Sequence, residues 1–179
     1  AAVLPVPALT AHVIDQTATL SAQDTANLEA QLKQLEQDTG SQVIALMVPT
    51  TAPEDIAAYA NRVANTWKIG RKDIGDGLLI IVAKDDRRMR IEVAKTLEGP
   101  IPDLRAARII DEAMKPAFQA GNYGAGLSAA VGQISALIKG EALPAPARQP
   151  QQRQGKSAAS SMDVGELLIF FFVIVMIGG

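Results

Sequence analysis

The chain has 179 residues, enough for one ordinary domain with appendages, and 17 Lys and Arg against 19 Asp and Glu give a formal charge of -2. With no basic stripe to follow a phosphate backbone, nucleic acid is not an expected partner. The absence of cysteine excludes disulfides, thiolate metal sites and cysteine nucleophiles.

Residues 1–12 are rich in Pro and Ala and are expected to be extended. The small residue Ala1 at the start is the expectation for a chain freed of a secretory leader. Val13-Ile-Asp15 is a short apolar lead-in to the domain. Ser21-Ala-Gln-Asp24 is a capping-box variant that opens a helix. Leu28, Leu32 and Leu35 form its apolar stripe, and Gly40 stops it. Gln42 to Val48 reads as a strand closed by Pro49. Pro53 is expected at the first turn of a second helix, with Ile56, Tyr59, Ala60, Val63 and Trp67 on its inner face. Gly77-Leu-Leu-Ile-Ile-Val-Ala83 leaves no polar face, so this strand must be covered on both sides. Met89-Arg-Ile-Glu-Val93 alternates apolar with charged residues. Only Asp85-Asp-Arg-Arg88 lies between these runs, too short for a crossover, so they form an antiparallel hairpin.

After Gly99-Pro-Ile-Pro102 a third helix is expected from Asp103 to about Ala120, with Ile109, Ile110, Met114 and Phe118 inward. Pro116 should kink or fray its last turn. Asn122 is placed to cap a fourth helix, with Leu127, Val131, Ile134 and Ile138 inward and Gly140 as its stop. The order αβαββαα predicts an α/β domain over 13–140, a three-layer α/β/α sandwich on a small mixed sheet with a helix pair on each face. Residues 141–163 change to Ala, Pro, Gln, Ser, Arg and Lys, a composition that cannot offset its own ordering entropy. As flexible coil this linker would reach on the order of 25 Å. The uncharged run Leu167 to Ile177, within residues 164–179, is expected to be a transmembrane helix whose far end is missing from the sequence. Arg148, Arg153 and Lys156 favour a cytoplasmic linker, whereas a processed amino terminus places the domain outside. The expectation adopted is a single-pass protein of the cell membrane, its domain on the extracytoplasmic, periplasmic side.

Several apparent motifs fail on context. Gly124-Ala-Gly126-Leu-Ser-Ala129 lacks a preceding strand, and Gly155-Lys-Ser157 lies in the linker. His12 is the only histidine, which leaves serine–histidine catalysis and a His-rich zinc site without support. What remains is oxygen chemistry. Asp73, Asp76, Glu98 and Asp103 sit in loops that border the hairpin, and Gly77 lets backbone approach closely beside Asp76. Loop carboxylates and carbonyls of this kind can supply the six to eight oxygens of Ca²⁺. The competing readings are structural: Asp103 as a helix cap or dipole partner, and Asp76-Gly77 as turn chemistry. Trp67 is assigned to the core, and Arg87, Arg88 and Arg90 to solvated hairpin faces or to contact with an anionic partner.

Trp67-x-Ile-Gly70, the run Asp76 to Arg88, Arg90-Ile-Glu-Val93, Leu97-Glu-Gly99, Pro102-Asp103, Pro116-Ala-Phe118 and Gly121-Asn-Tyr123 together resemble the TPM domain family over roughly residues 10–140. The resemblance implies an α/β/α sandwich outside the cytoplasm, tethered by one helix and serving integral-membrane complexes. It also implies that some members hydrolyse phosphomonoesters or bind Ca²⁺ at acidic loops. Carried over by position, Asp76 and Asp103 match those loops, with Glu98 next. Where relatives commonly have Gly-Tyr-Gly, this chain has Ala94-Lys95-Thr96, which sets an ammonium beside the anionic cleft. Two functions are expected from this resemblance. One is an accessory protein that assists assembly, stability or modulation of an integral-membrane complex, anchored in the bilayer through Leu167 to Ile177, without catalytic residues. The other is a metal-dependent, acid phosphatase-like hydrolase using Asp76, Asp103 and Glu98, in which the metal activates water.

Overall fold

The computed structural model describes residues 2–140; the expected linker, 141–163, and transmembrane helix, 164–179, lie outside them. Among the described residues no helix is long and apolar enough to cross a membrane. The chain order is β1 (Val13–Asp15), α1 (Ala22–Thr39), β2 (Gln42–Val48), α2 (Ile56–Trp67), β3 (Gly77–Ala83) and β4 (Arg88–Val93). A 3-10 turn (Lys95–Leu97) follows, then α3 (Asp103–Ile109), a π-helical turn (Ile110–Met114), α4 (Lys115–Gln119) and α5 (Tyr123–Lys139).

The four strands lie side by side in the order β1-β2-β3-β4. β1, β2 and β3 are parallel, and β4 returns antiparallel beside β3 with Ile80 opposite Ile91. The apolar run of β3 is buried along its whole length, as a strand without a polar face requires. One face of the sheet presents Val43, Ala45, Met47, Leu78, Ile80 and Val82 to a core completed by α1, α3, α4 and α5. The other presents Ile44, Leu46, Val48, Leu79, Ile81 and Ala83 to Tyr59, Ala60 and Val63 of α2. The helices therefore do not form a pair on each face: α2 stands alone on its side.

That partition fixes the handedness of the crossovers. Both β1-α1-β2 and β2-α2-β3 step across the sheet in the same direction, yet their helices lie on opposite faces. One of the two is therefore left-handed, against the strong right-handed preference. Two right-handed crossovers would have put α1 and α2 on the same side of the sheet. The space beside α2 is filled by the amino-terminal segment, which is extended as expected but packed. Leu4 and Val6 join the core of α2, Arg62 Nη2 donates to the Leu4 carbonyl at 2.6 Å, and Trp67 Nε1 donates to the Pro7 carbonyl at 2.7 Å.

Local signals mostly hold. Ser21 caps α1 by accepting from the Asp24 amide at 3.0 Å, and Gly40 closes it in the left-handed region at φ 80°. Others shift. α2 begins at Ile56, later than Pro53 implied, because the Asp55 carboxylate accepts from the Ala58 amide and takes the cap. Asn122 stands at the N-cap position of α5, but its side chain makes no cap bond. The expected third helix is continuous in path but not in type. Within it the Lys115 amide reaches back to Ile110 in the π register, which absorbs Pro116 at the start of α4 without a break.

Candidate functional site

Parallel strands give the sheet two unlike ends, and the candidate residues divide between them. At the amino end of β2 and β3 stands Asp76, wholly inaccessible to solvent. Its Oδ1 accepts from the Arg71 amide at 2.8 Å; its Oδ2 accepts from Arg71 Nε at 2.8 Å, Arg71 Nη2 at 2.7 Å and Ser41 Oγ at 3.2 Å. The Asp76 carbonyl also accepts from the Gln42 amide. The Arg71 guanidinium lies over Gly40, where a Cβ would meet its Cζ at 2.5 Å, and Nη2 donates to the Thr39 carbonyl. One carboxylate thus joins the end of α1, the start of β2 and the start of β3. Gly77 is the close approach read from the sequence: a Cβ there would collide with the Ile69 carbonyl.

Glu98 is exposed at the end of the 3-10 turn and lines a cavity of about 420 Å³ with Lys68, Glu92 and Lys95; Asp76 is not among its walls. Glu92 in turn is held by Arg90 Nε at 2.7 Å. Asp103 is exposed in the first turn of α3. It is a dipole partner there and not the cap, since Pro102 occupies that position. Lys95 lines the same cavity as Glu98, but Asp76 and Asp103, the other carboxylates of the expected anionic cleft, do not. Thr96 takes a further part: its hydroxyl donates to the Ile74 carbonyl and pins the loop that leads into Asp76. Among the described residues no group of three His, Cys, Asp or Glu side chains converges as a metal site. Asp76 is buried apart from the cavity that Glu98 lines, and Asp103 is exposed at the start of α3.

Two further carboxylates are strongly held. Burial alone would push the Asp15 carboxyl up, but bonds from the Thr17 hydroxyl and from the Leu20, Thr17 and Thr19 amides outweigh it, and the net shift is downward. Glu29 follows the same logic: burial opposes, while the His12 amide and ring and the Val13 amide win and lower it. The His12 ring lies between Glu29 at 2.8 Å and Glu36 at 2.7 Å.

The carboxyl end of the parallel strands, where open α/β sheets commonly take ligands, has the opposite character. A cavity of about 410 Å³ is bordered there by Lys84, Arg87 and Arg88 of the hairpin, Lys115 and Phe118 of α4 and Tyr123 of α5. The Phe118 and Tyr123 rings lie 4.7 Å apart, and Lys84 Nζ stands 5.4 Å from the Tyr123 centroid, within cation–π range. Arg87 and Arg88 were visible in the sequence as a charged turn. Lys115 and Tyr123 were not tied to them, because no periodicity joins residues brought together by sheet and helix packing.

These features define an α/β/α sandwich domain with a four-stranded mixed sheet and a charged cavity at each end. The TPM domain matches residues 13–137, and the chain belongs to that family. Among solved structures, the N-terminal domain of a protein from P. gingivalis is similar at 28% identity and a TM-score of 0.67, over 73% of this chain and 83% of that one. The BA42 protein of Bizionia argentinensis shares the fold at 19% identity and a TM-score of 0.61, over 70% and 86% of the two chains. The N-terminal domain of the cg2496 protein of Corynebacterium glutamicum does so at 12% and 0.60, over 86% and 99%. No curated protein matches this chain.

Proposed function

We propose that this protein is a membrane-tethered extracytoplasmic accessory protein whose TPM domain contacts an integral-membrane complex and assists its assembly, stability or modulation. Asp76 carries this reading. A metal ligand or catalytic carboxylate needs a lone pair and a path to substrate. The Asp76 carboxylate has no such path: both oxygens accept from Arg71, one also accepts from Ser41, and water does not reach it. The residue that best matched a phosphatase site is thus committed to holding three elements together. Glu98 shares its cavity with Lys95 and Lys68, so a cation entering there would meet two ammonium groups.

The test is purification of the native full-length chain in mild detergent from its own membranes. The expected result is recovery with a stoichiometric integral-membrane complex. Recovery of the chain alone, with phosphomonoester turnover that requires Ca²⁺ or Mg²⁺ and is lost in a folded Asp76→Asn variant, would overturn the accessory reading in favour of hydrolysis.

A further inference from the structure

We infer that the cavity at the carboxyl end of the sheet is a docking site for an acidic, partly apolar peptide segment of a protein partner. This deepens the accessory reading and rests on it. The first observation is charge. The chain is net negative, yet Lys84, Arg87, Arg88 and Lys115 border one cavity with no carboxylate among its lining residues. Of the acids of the hairpin tip and the π-helical turn, Asp86 and Asp111 are occupied and Asp85 is not among the lining residues. Asp86 accepts from the Thr50 hydroxyl at 2.9 Å and from the Thr51 amide at 3.1 Å, which ties it to the loop after β2. Asp111 holds Lys115 at 2.9 Å between two exposed side chains, and Asp85 is exposed at the hairpin tip. The Arg87 and Arg88 guanidinium groups have no hydrogen-bond or ion-pair partner among the described residues; their only bonds are those of the main chain. Exposed guanidinium groups side by side match carboxylates in paired geometry.

The second observation is shape. A neighbouring cavity of about 360 Å³ shares Arg87, Arg88, Met89 and Lys115 with the first and continues past them to Ile56 and Ile110; its one carboxylate, Asp111, is paired with Lys115, so Arg87 and Arg88 carry the charge argument. The surface is therefore elongated, with apolar ground at Phe118 and Tyr123 on one side of the cations and at Ile56 and Ile110 on the other. A compact anion would fill one part only; an extended peptide with carboxylates between apolar side chains fits both.

Two details separate a peptide from a phosphate group or a lipid surface. Phosphate sites commonly use a free helix amino terminus, but here the Asp24 carboxylate is packed against Gly124 in the first turn of α5. The cations of the cavity come instead from the hairpin and α4. α5 also runs alongside α1 from this end, with Gln31 bonded to Ser128 and Lys139 to Asp38. Its 17 residues span about 25 Å. Gly140 therefore lies at the pole opposite the cavity.

The experiment is fluorescence anisotropy of a labelled hexapeptide alternating glutamate and phenylalanine, titrated with the full-length chain in neutral detergent. Saturable binding is expected, weakened by about tenfold or more in the Arg87→Glu/Arg88→Glu variant and unchanged in Lys72→Glu, a single charge reversal away from the cavity. Absence of saturable binding, or equal weakening by both variants, overturns the site. Displacement of the peptide by inorganic phosphate beyond that caused by sodium chloride of equal ionic strength overturns it in favour of a small oxyanion. Binding to phosphatidylglycerol vesicles that the double variant abolishes, with none to the peptide, overturns it in favour of a bilayer surface. Should the folded double variant still co-purify with the membrane complex as wild type does, this inference fails while the accessory reading stands. Should wild type recover no complex, the accessory reading fails whatever the peptide does.

Discussion

Asp76 is where two opposite readings of one residue make opposite predictions. A carboxylate working on substrate can be replaced by its amide with loss of turnover and little loss of stability. A carboxylate buried against a guanidinium loses stability instead, because the amide leaves Arg71 without its counter-charge. Arg71 is 26% exposed beside the fully buried Asp76, so solvent recovers part of the cost. Asp76→Asn is expected to lower the unfolding free energy by about 2–3 kcal/mol, read from urea titration by circular dichroism. An unchanged midpoint would return Asp76 to the list of chemical groups. Gly77→Ala tests the adjoining backbone. The new Cβ would strike the Ile69 carbonyl, and Gly70, at φ 96°, leaves the two segments no slack, since a Cβ there would meet the Gly77 amide at 2.5 Å. Main chain must move to relieve it, at a cost of about 2 kcal/mol or more. Full tolerance of alanine would mean that the crossing is looser than this packing describes. The Asp-Gly pair was legible in the sequence as a special position. Its role was not, because the partner that neutralises Asp76 sits in a loop whose path no pattern announces.

At the scale of elements, the sequence carried what has a period. The hairpin of β3 and β4, the leucine stripe of α1 and the inward face of α5 all follow from spacing, and each is buried as spacing required. The distribution of helices between the faces has no such signature, because an amphipathic helix does not state which side of a sheet it covers. The amino-terminal segment was legible as extended and no further: Leu4 and Val6 are isolated apolar residues among prolines and alanines. Their partner surface exists only because α2 stands alone on its face. Removal of residues 1–8 is therefore expected to cost about 2–3 kcal/mol, taking two aliphatic side chains at somewhat less than full burial. The same truncation deprives the Trp67 indole of the Pro7 carbonyl and exposes more of its ring, so its emission should move to longer wavelength. Unaltered stability and emission together would show that the segment lies on the domain without supporting it.

Over the whole molecule, the two ends of the strands carry unlike cavities: at the amino end Glu92 and Glu98 are balanced by Lys68 and Lys95, and at the carboxyl end Lys84, Arg87, Arg88 and Lys115 line a cavity without a carboxylate. Polarity of that kind depends on three-dimensional assembly and is invisible in a net charge of -2. The carboxylates at the margin of the sheet have a consequence for acid stability. Asp15 holds the loop from β1 to α1, and Glu29 reaches from α1 to the amides of His12 and Val13 at β1. In both, burial pushes the carboxyl up, but the hydrogen bonds outweigh it and leave the folded value below the ordinary 3.8 for Asp15 and 4.5 for Glu29. A depressed value means that the unfolded chain binds the proton first, so the stabilisation is complete above the unfolded values and is lost as pH falls through the folded ones. Unfolding free energy should therefore decline from near pH 4.5 downward, with Glu29 contributing first and Asp15 next. Urea titrations between neutral pH and about pH 3 would measure the slope. An Asp15→Asn/Glu29→Gln variant is expected to be less stable at neutral pH and to show a flatter decline, because the groups whose protonation links pH to folding are gone. If that variant keeps the wild-type slope, the acid sensitivity comes from other carboxylates, and the bonds that join β1 to its loop and to α1 do not set it.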